Sequence, residues 1–299
     1  MKSVLVLLML SFSTLLYSQA YFTTSDFDLK GNVKTVKMNS FPGKIENGDT
    51  IQDGQYVEYK LFVFEPIDPY FFQLDFPNNV SRPTFYFDNQ NRLVKLEDYS
   101  SINNELRTKT DFLFDDRLVQ IKFSSDFGKN TVKYIPFCEN NLVTKFKIYF
   151  GEESETFKEF QYEYDAFNRI IKCSKFLNKL YIGEFRYIYN ANNNITSKKQ
   201  CFGENISMSD NYFYNSKKQM EKIIRNNEDG NVMYIIEISY FENGSIKSIV
   251  TTYPDGEIIE KFSYKYDSYG NWIKRIRTTD YGSLNYQSIC IYTREIVYY

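Results

Sequence analysis

The sequence predicts an all-β fold: an antiparallel meander of repeated β-hairpins forming a wide, coiled open sheet, a half-shell or superhelical ribbon. Three observations predict it. A unit of about 25 residues recurs eight times between Phe85 and Trp272, the mark of a chain that stacks one supersecondary unit. Each copy opens with an aromatic-x-aromatic step, which has the period of a strand. Each then passes through an Asp/Asn-led turn into a second apolar run.

The copies read FYFDNQNRL, FLFDDRL, IPFCENNL, YEYDAFNRI, YIYNANNNI, YFYNSKKQM, ISYFENGSI and YKYDSYGNW. Their second aromatics are Phe87, Phe114, Phe137, Tyr164, Tyr189, Tyr214, Tyr240 and Tyr266, so successive copies are 27, 23, 27, 25, 25, 26 and 26 residues apart. In six copies the next apolar residue lies six positions on (Leu93, Ile170, Ile195, Met220, Ile246, Trp272), while Leu118 and Leu142 follow after four and five. A short, constant gap between two strand-like runs is a hairpin turn.

The turn residues support that reading independently. Asp88, Asp165, Asn190, Asn215 and Asp267 stand first, where an Asx side chain accepts the backbone N–H two residues on. Three residues later stand Asn91, Asn168, Asn193, Gly244 and Gly270, types that tolerate the left-handed conformation. Lys218 takes that closing position in one copy, and Phe241 replaces the Asx in another, so these two turns are expected to be weaker.

Tyr264-Lys-Tyr-Asp-Ser-Tyr-Gly-Asn-Trp272 and Tyr162-Glu-Tyr-Asp-Ala-Phe-Asn-Arg-Ile170 resemble the YD repeat of the RHS family. The resemblance covers roughly residues 85–299, and Leu29-Lys-Gly-Asn-Val-Lys-Thr-Val36 is similar to the strand that follows the turn. Proteins of the RHS and teneurin type coil a continuous antiparallel sheet into a large shell that encloses a toxin domain or presents a recognition surface. This chain departs from them in being far shorter, in lacking a toxin module and in using Asn where the family prefers Gly.

Residues 1–20 read as a secretory signal peptide: Lys2, an apolar stretch from Val4 to Leu16, and small residues at Ser18 and Ala20. Residues 21–299 are then one domain, exported to the periplasm, the cell surface or the medium. No later apolar run reaches the ~18 residues of a spanning helix, so no transmembrane helix is expected in the mature chain. A formal net charge of −2 argues against a nucleic-acid partner. Aromatic residues at 18% beside charged residues at 25% fit a sheet with one packed and one solvated face. Of the four cysteines, Cys173 and Cys201 are expected on opposite faces, which argues against a disulfide between them.

The tyrosine column of Tyr164, Tyr189, Tyr214, Tyr240 and Tyr266 reads first as packing and second as a sugar-stacking track. Lys95, Lys172, Lys222 and Lys274 recur eight residues past the second aromatic and form a solvated column before they form an anion track. With no histidine, His-assisted nucleophilic catalysis and His-based zinc sites are absent; no catalytic residue, metal or cofactor is expected. The densest acidic spots, Asp115-Asp116 and Glu152-Glu153-Ser-Glu155, fall in or near turns.

The stretch from Pro66 to Pro83 holds four of the seven prolines and is expected to be a long loop. Its Tyr70, Phe71, Phe72 and Phe76 are the candidate ligand-binding residues, with capping of the sheet's open first edge as the structural alternative. Ser40 to Gln55 reads as a plain hairpin connection. The expectation for function is a non-enzymatic exported repeat protein that binds a glycan or a protein partner in the envelope or outside the cell. An outer-membrane β-barrel and a reduced shell or accessory of an RHS-type toxin system are the alternatives.

Overall fold

Every Asx turn is followed by a strand that pairs back on the strand before the turn, so the fold grows hairpin by hairpin. The computed structural model describes residues 29–47, 49–52, 81–100, 105–114, 118–125, 128–139, 142–150, 157–282 and 286–299. These form 19 antiparallel strands in one sheet, with no α-helix among the described residues. The first five are β1 (Val33–Glu46), β2 (Asp49–Gln52), β3 (Ser81–Phe87), β4 (Leu93–Ser100) and β5 (Leu106–Phe114). They are followed by β6 (Leu118–Ser125), β7 (Gly128–Glu139), β8 (Leu142–Phe150), β9 (Phe157–Tyr164) and β10 (Ile170–Leu177). Next come β11 (Leu180–Tyr189), β12 (Ile195–Phe202), β13 (Asn205–Tyr214), β14 (Met220–Asn227) and β15 (Val232–Tyr240). The last are β16 (Ile246–Tyr253), β17 (Gly256–Tyr266), β18 (Trp272–Tyr281) and β19 (Tyr286–Tyr298). The all-β meander is the architecture that the repeat predicts.

The turn chemistry is as predicted. Asp165 Oδ1 accepts the N–H groups of Phe167 (2.8 Å) and Arg169 (3.0 Å), and Asn168 closes the turn at φ 60°. Asn91, Asn193, Lys218, Gly244 and Gly270 close their turns with φ between 60° and 91°. In each case a one-residue register shift follows at once, as between Ile170 and Lys172, so the turn and its bulge are one device. Where Phe241 replaces the Asx residue, Asn243 Oδ1 supplies one bond, to Ser245 N–H at 3.1 Å.

The pairing corrects the third copy. Cys138 pairs with Val143 across the bulge, as Tyr164 pairs with Ile170, so Cys138 and Val143 hold the repeat positions that the sequence reading gives to Phe137 and Leu142. Val143 is buried while Phe137 is 42% exposed. With Cys138 in place, the neighbouring spacings become 24 and 26 residues, closer to the rest.

Alternation along each strand sorts the side chains onto two faces. In β11, Phe185 and Tyr187 are buried while Arg186 and Ile188 are exposed. Buried residues form two clusters: one around Val33, Phe85, Leu93, Trp272 and Tyr292, the other running from Val143 through Tyr162, Tyr187 and Tyr212 to Phe262. Burying such side chains contributes about 1.5–3 kcal/mol each, which no single hairpin could gain alone. Cys173 and Cys201 fall on opposite faces, as expected: Cys173 pairs with Tyr162 on the packed face, and Cys201 with Glu184 on the other. Both are free thiols.

The two ends of the ribbon differ from the expected free edges. β1 pairs with β19 on one side (Val33↔Tyr298 to Pro42↔Cys290) and with β3 on the other (Thr35↔Tyr86 to Lys37↔Thr84). Hydrogen bonding therefore runs from β3 through every hairpin to β19 and through β1 back to β3. An uncovered edge row of N–H and C=O groups is a liability, and accumulated strand twist brings the two ends together.

Two further expectations are adjusted. The stretch Ser40–Gln55 does contain a hairpin, but Ser40–Glu46 belongs to β1, which turns at Asn47 (φ 53°) into β2. Pro83 lies within β3 rather than in a loop; it pairs with Asp98, and β1 pairing ends at the adjacent Thr84, so its missing N–H faces no partner strand. Pro66, Pro69 and Pro77 lie outside the described residues.

Candidate binding surfaces

The aromatics Tyr70, Phe71, Phe72 and Phe76 lie outside the described residues, as do the acidic spots Asp115-Asp116 and Glu152 to Glu155. Among the described residues no group of three His, Cys, Asp or Glu side chains could hold a metal ion. The candidate surfaces are therefore those of the sheet.

Three of the four lysines in the column are ion-paired. Lys95 lies 3.0 Å from Glu97, Lys172 lies 3.0 Å from Glu163 and 3.5 Å from Glu184, and Lys222 lies 3.1 Å from Glu237. Glu97 also accepts the hydroxyls of Tyr86 (2.6 Å) and Tyr99 (2.7 Å). Burial alone would raise the carboxyls of Glu97 and Glu184, yet these hydroxyls, Arg186 and the lysines outweigh it and hold both below the usual range. A fixed carboxylate beside these three ammonium groups removes most of their pull on a diffusing anion; Lys274 stands opposite Lys265 and Thr293.

The tyrosine column is a set of staples. Tyr164, Tyr189, Tyr214 and Tyr240 donate their hydroxyls to the carbonyls of Val143, Ile170, Ile195 and Met220, at 2.6 to 2.8 Å. Each acceptor holds the buried apolar repeat position that opens the preceding repeat's second strand, which in β8 is Val143. The same rings close the second core cluster. Ring faces packed in this way are not laid open for sugar stacking, so the packing reading holds for these four, while Tyr266 is 37% exposed.

The packed face also carries charge that the hydrophobic pattern does not reveal. Arg225 grips Asp210 through two bonds of 2.6 and 2.8 Å and lies over the Tyr234 ring. Arg277 pairs with Glu260 at 3.2 Å, Arg275 lies 4.4 Å from the Tyr292 ring centre, and Arg294 lies 3.6 Å from that of Trp272. Guanidinium planes stack on aromatic faces, so these arginines pack as well as pair.

The rim opposite the Asx turns was missed by sequence reasoning. Successive short hairpins there expose apolar side chains: Leu180 (71%) at the start of β11, Phe202 (62%) and Ile206 at β12–β13, Val232 and Met233 on β15, Tyr253 on β16 and Tyr286 (58%) on β19. Ring contacts run along this rim, with Tyr181 5.8 Å from Phe176 and 5.7 Å from Phe202, Tyr234 5.6 Å from Tyr253, and Tyr281 5.7 Å from Tyr286. Exposed Glu204, Glu228, Asp229, Asp255 and Glu257 punctuate it, against Lys179 and Arg186, whose Nη2 donates to the Gly203 carbonyl at 3.0 Å. The signal in the sequence was the second turn of each repeat, in which apolar residues flank the two-residue tips Asn178-Lys179, Gly203-Glu204 and Pro254-Asp255, while the turn from Asn227 to Asn231 is itself an Asx turn closed by Gly230 at φ 82°.

No protein-family model matches the chain, and no curated protein matches it. Among solved structures, a porin-like protein from Bacteroides uniformis ATCC 8492 is similar over 90% of this chain and 99% of its own, at 9% identity and a TM-score of 0.45. A porin-like protein from Bacteroides vulgatus ATCC 8482 is similar over 91% and 99%, at 8% identity and a TM-score of 0.34. The TcdB2-TccC3-Cdc42 structure is similar over 68% of this chain, which spans 12% of the matched chain, at 12% identity and a TM-score of 0.33. None of these similarities reaches a TM-score of 0.5, and none bears on ligand or partner.

Proposed function

We propose that this is an exported, non-enzymatic repeat protein that takes a protein partner on the rim of short hairpins. The exposed apolar row from Leu180 to Tyr286 carries this reading: contiguous apolar surface on a folded protein marks an interaction site. Its aliphatic members Leu180, Ile206, Val232 and Met233 fit an apolar protein patch better than a sugar ring, and its acidic punctuation fits a partner edged with lysine and arginine. Export rests on the basic-then-apolar start of the sequence, from Lys2 to Leu16.

The outer-membrane barrel is the weaker reading because of what lies on the unpacked face. Lys145 and Lys147 with Glu159, Lys172 with Glu163 and Glu184, and Lys222 with Glu237 sit within strands on the side away from the aromatic core. A lipid-facing lysine at mid-bilayer costs about 2–4 kcal/mol.

The test is a triple variant, Leu180→Ser, Phe202→Ser and Tyr286→Ser, compared with the unaltered protein in capture from an envelope extract and on a glycan array. A protein captured by the unaltered chain and lost by the variant, at unchanged thermal stability, supports the rim. Capture that survives the variant overturns it, and glycan binding in place of capture moves the function to a carbohydrate partner.

A further inference from the structure

We infer that β19 and β1 build a ninth copy of the repeat from two halves, and that Leu29–Pro42 is a strap whose docking closes the sheet and can be released without unfolding the rest. Four correspondences carry this. First, register: Val33 pairs with Tyr298 and Thr35 with Val297, skipping one residue, as Ile170 pairs with Tyr164 and Lys172 with Glu163, and as Trp272 pairs with Tyr266 and Lys274 with Lys265. Second, the turn: Tyr299 N–H donates to the Asn32 carbonyl at 3.0 Å, the bond that Asp165 makes to Arg169 and Asp267 makes to Asn271, both at 2.9 Å.

Third, the closing residue. Gly31 has φ +82°, as Gly270 has +81° and Asn168 has 60°. A Cβ at Gly31 would stand 3.1 Å from Tyr269 and 3.3 Å from Tyr298, two rings stacked at 4.2 Å against this turn. Fourth, the link between adjacent turns. In the regular repeats the residue before the apolar one reaches the next turn's closing residue: Arg169 Nη1 bonds Asn193 Oδ1 at 3.0 Å, and Gln219 Nε2 bonds the Gly244 carbonyl at 3.4 Å. Asn271, fully buried, occupies that place and clasps the strap. Its Oδ1 accepts Lys30 N–H at 2.6 Å, and its Nδ2 donates to the Lys30 carbonyl at 2.8 Å and to Tyr298 Oη at 2.7 Å.

The joint differs from the other eight in how it is closed. A hairpin closes a loop of a few residues, whereas the clasp joins positions 241 apart in sequence, and the strap's far side meets β3 through three residue pairs. Long loops close late and at greater entropic cost, so the seam opens ahead of the hairpins even though β1 pairs with β19 over nine positions. The strap therefore docks onto hairpins already formed, and its release bares the edges of β19 and β3 together.

Hydrogen exchange read by mass spectrometry on the whole chain tests this. In Asn271→Ala, the amides of 33–42 and 290–299 should exchange faster by roughly tenfold to a hundredfold, the loss of the clasp's hydrogen bonds, while those of β10 to β16 change by less than about twofold. Faster exchange throughout, or none anywhere, would overturn the strap. A second variant keeps the test sharp if Asn271→Ala folds poorly. Lys37 and Glu295 face each other in register across the seam, 3.7 Å apart, so Lys37→Cys with Glu295→Cys should form a disulfide within one chain and slow exchange of the seam alone. A disulfide found only between chains, or a bridged protein with unchanged seam exchange, would show that the strap is not a separable closing element.

Discussion

The Tyr214 hydroxyl donates to the Ile195 carbonyl 2.8 Å away, binding the strand that enters one Asx turn to the strand that left the one before. Because Tyr164, Tyr189 and Tyr240 repeat the bond, the column holds successive hairpins in phase. Tyr266 departs from it and reaches the exposed Ser245 Oγ instead. Removing a hydroxyl from this part-buried pair leaves a carbonyl that water reaches less readily than at the exposed Tyr266 bond, where water substitutes. Tyr214→Phe should therefore cost about 1 kcal/mol in urea unfolding and Tyr266→Phe less than half of that. Equal costs would mean that the column does not act as a set of staples.

Turn strain gives a second pair of variants. Lys218 closes its turn at φ 62° and Gly270 at φ 81°. Lys218→Gly relieves a left-handed lysine and should stabilise by about 0.5–1 kcal/mol. Gly270→Val places a β-branched side chain in the same region, with Lys30 Nζ 3.3 Å from its Cβ, and should destabilise by about 1 kcal/mol or more. Thermal unfolding reads both, and a loss in each would mean that the two positions are not equivalent.

These turns were legible in the sequence because Asp, Asn and Gly at fixed offsets announce a conformation without reference to the rest of the chain. The meander followed from them. The third copy was placed one residue out because Phe137 looked like the repeat's aromatic, whereas burial there chose Cys138 and Val143; which of two adjacent apolar residues faces the core is decided by the neighbouring strands. Closure through β1 is decided by the twist accumulated over all the hairpins, which no local pattern encodes, although Leu29–Val36 was recognisable as half a repeat. The rim escaped notice because scattered apolar residues at two-residue tips become a surface only when the hairpins are stacked. The core arginines escaped because their charge read as solvent-facing until stacking on Trp272 and Tyr292 was seen.

Acid should weaken the fold through carboxylates that the fold holds ionised. For Asp165 and Asp267, burial raises the carboxyl, but hydrogen bonds outweigh it and leave both below their ordinary value. They come from Arg169 and the turn N–H groups at Asp165, and from Tyr298 and the turn N–H groups at Asp267. Glu97, Glu159 and Glu184 are lowered in the same direction. A carboxyl lowered on folding contributes stability that is present above its unfolded value, near pH 4, and is lost as pH falls through the folded one. Unfolding free energy should hold steady from about pH 7 to 5 and then drop steeply below about pH 4. Asp267→Asn should flatten part of that drop, and stability that rose on acidification would reverse the sign of the argument.

The reassigned third copy can be decided by truncating two adjacent residues. Val143 is 1% exposed, pairs with Cys138 across the bulge and lends its carbonyl to Tyr164, while Leu142 is only half-buried. If the repeat position is Val143, Val143→Ala should cost roughly 2 kcal/mol from lost burial and a small cavity, more than Leu142→Ala although it removes fewer carbon atoms. That order runs against side-chain size, so it reports on position alone. A larger loss for Leu142→Ala would return the copy to Phe137 and Leu142, and with it the less even spacing of 23 and 27 residues between the third repeat and its neighbours.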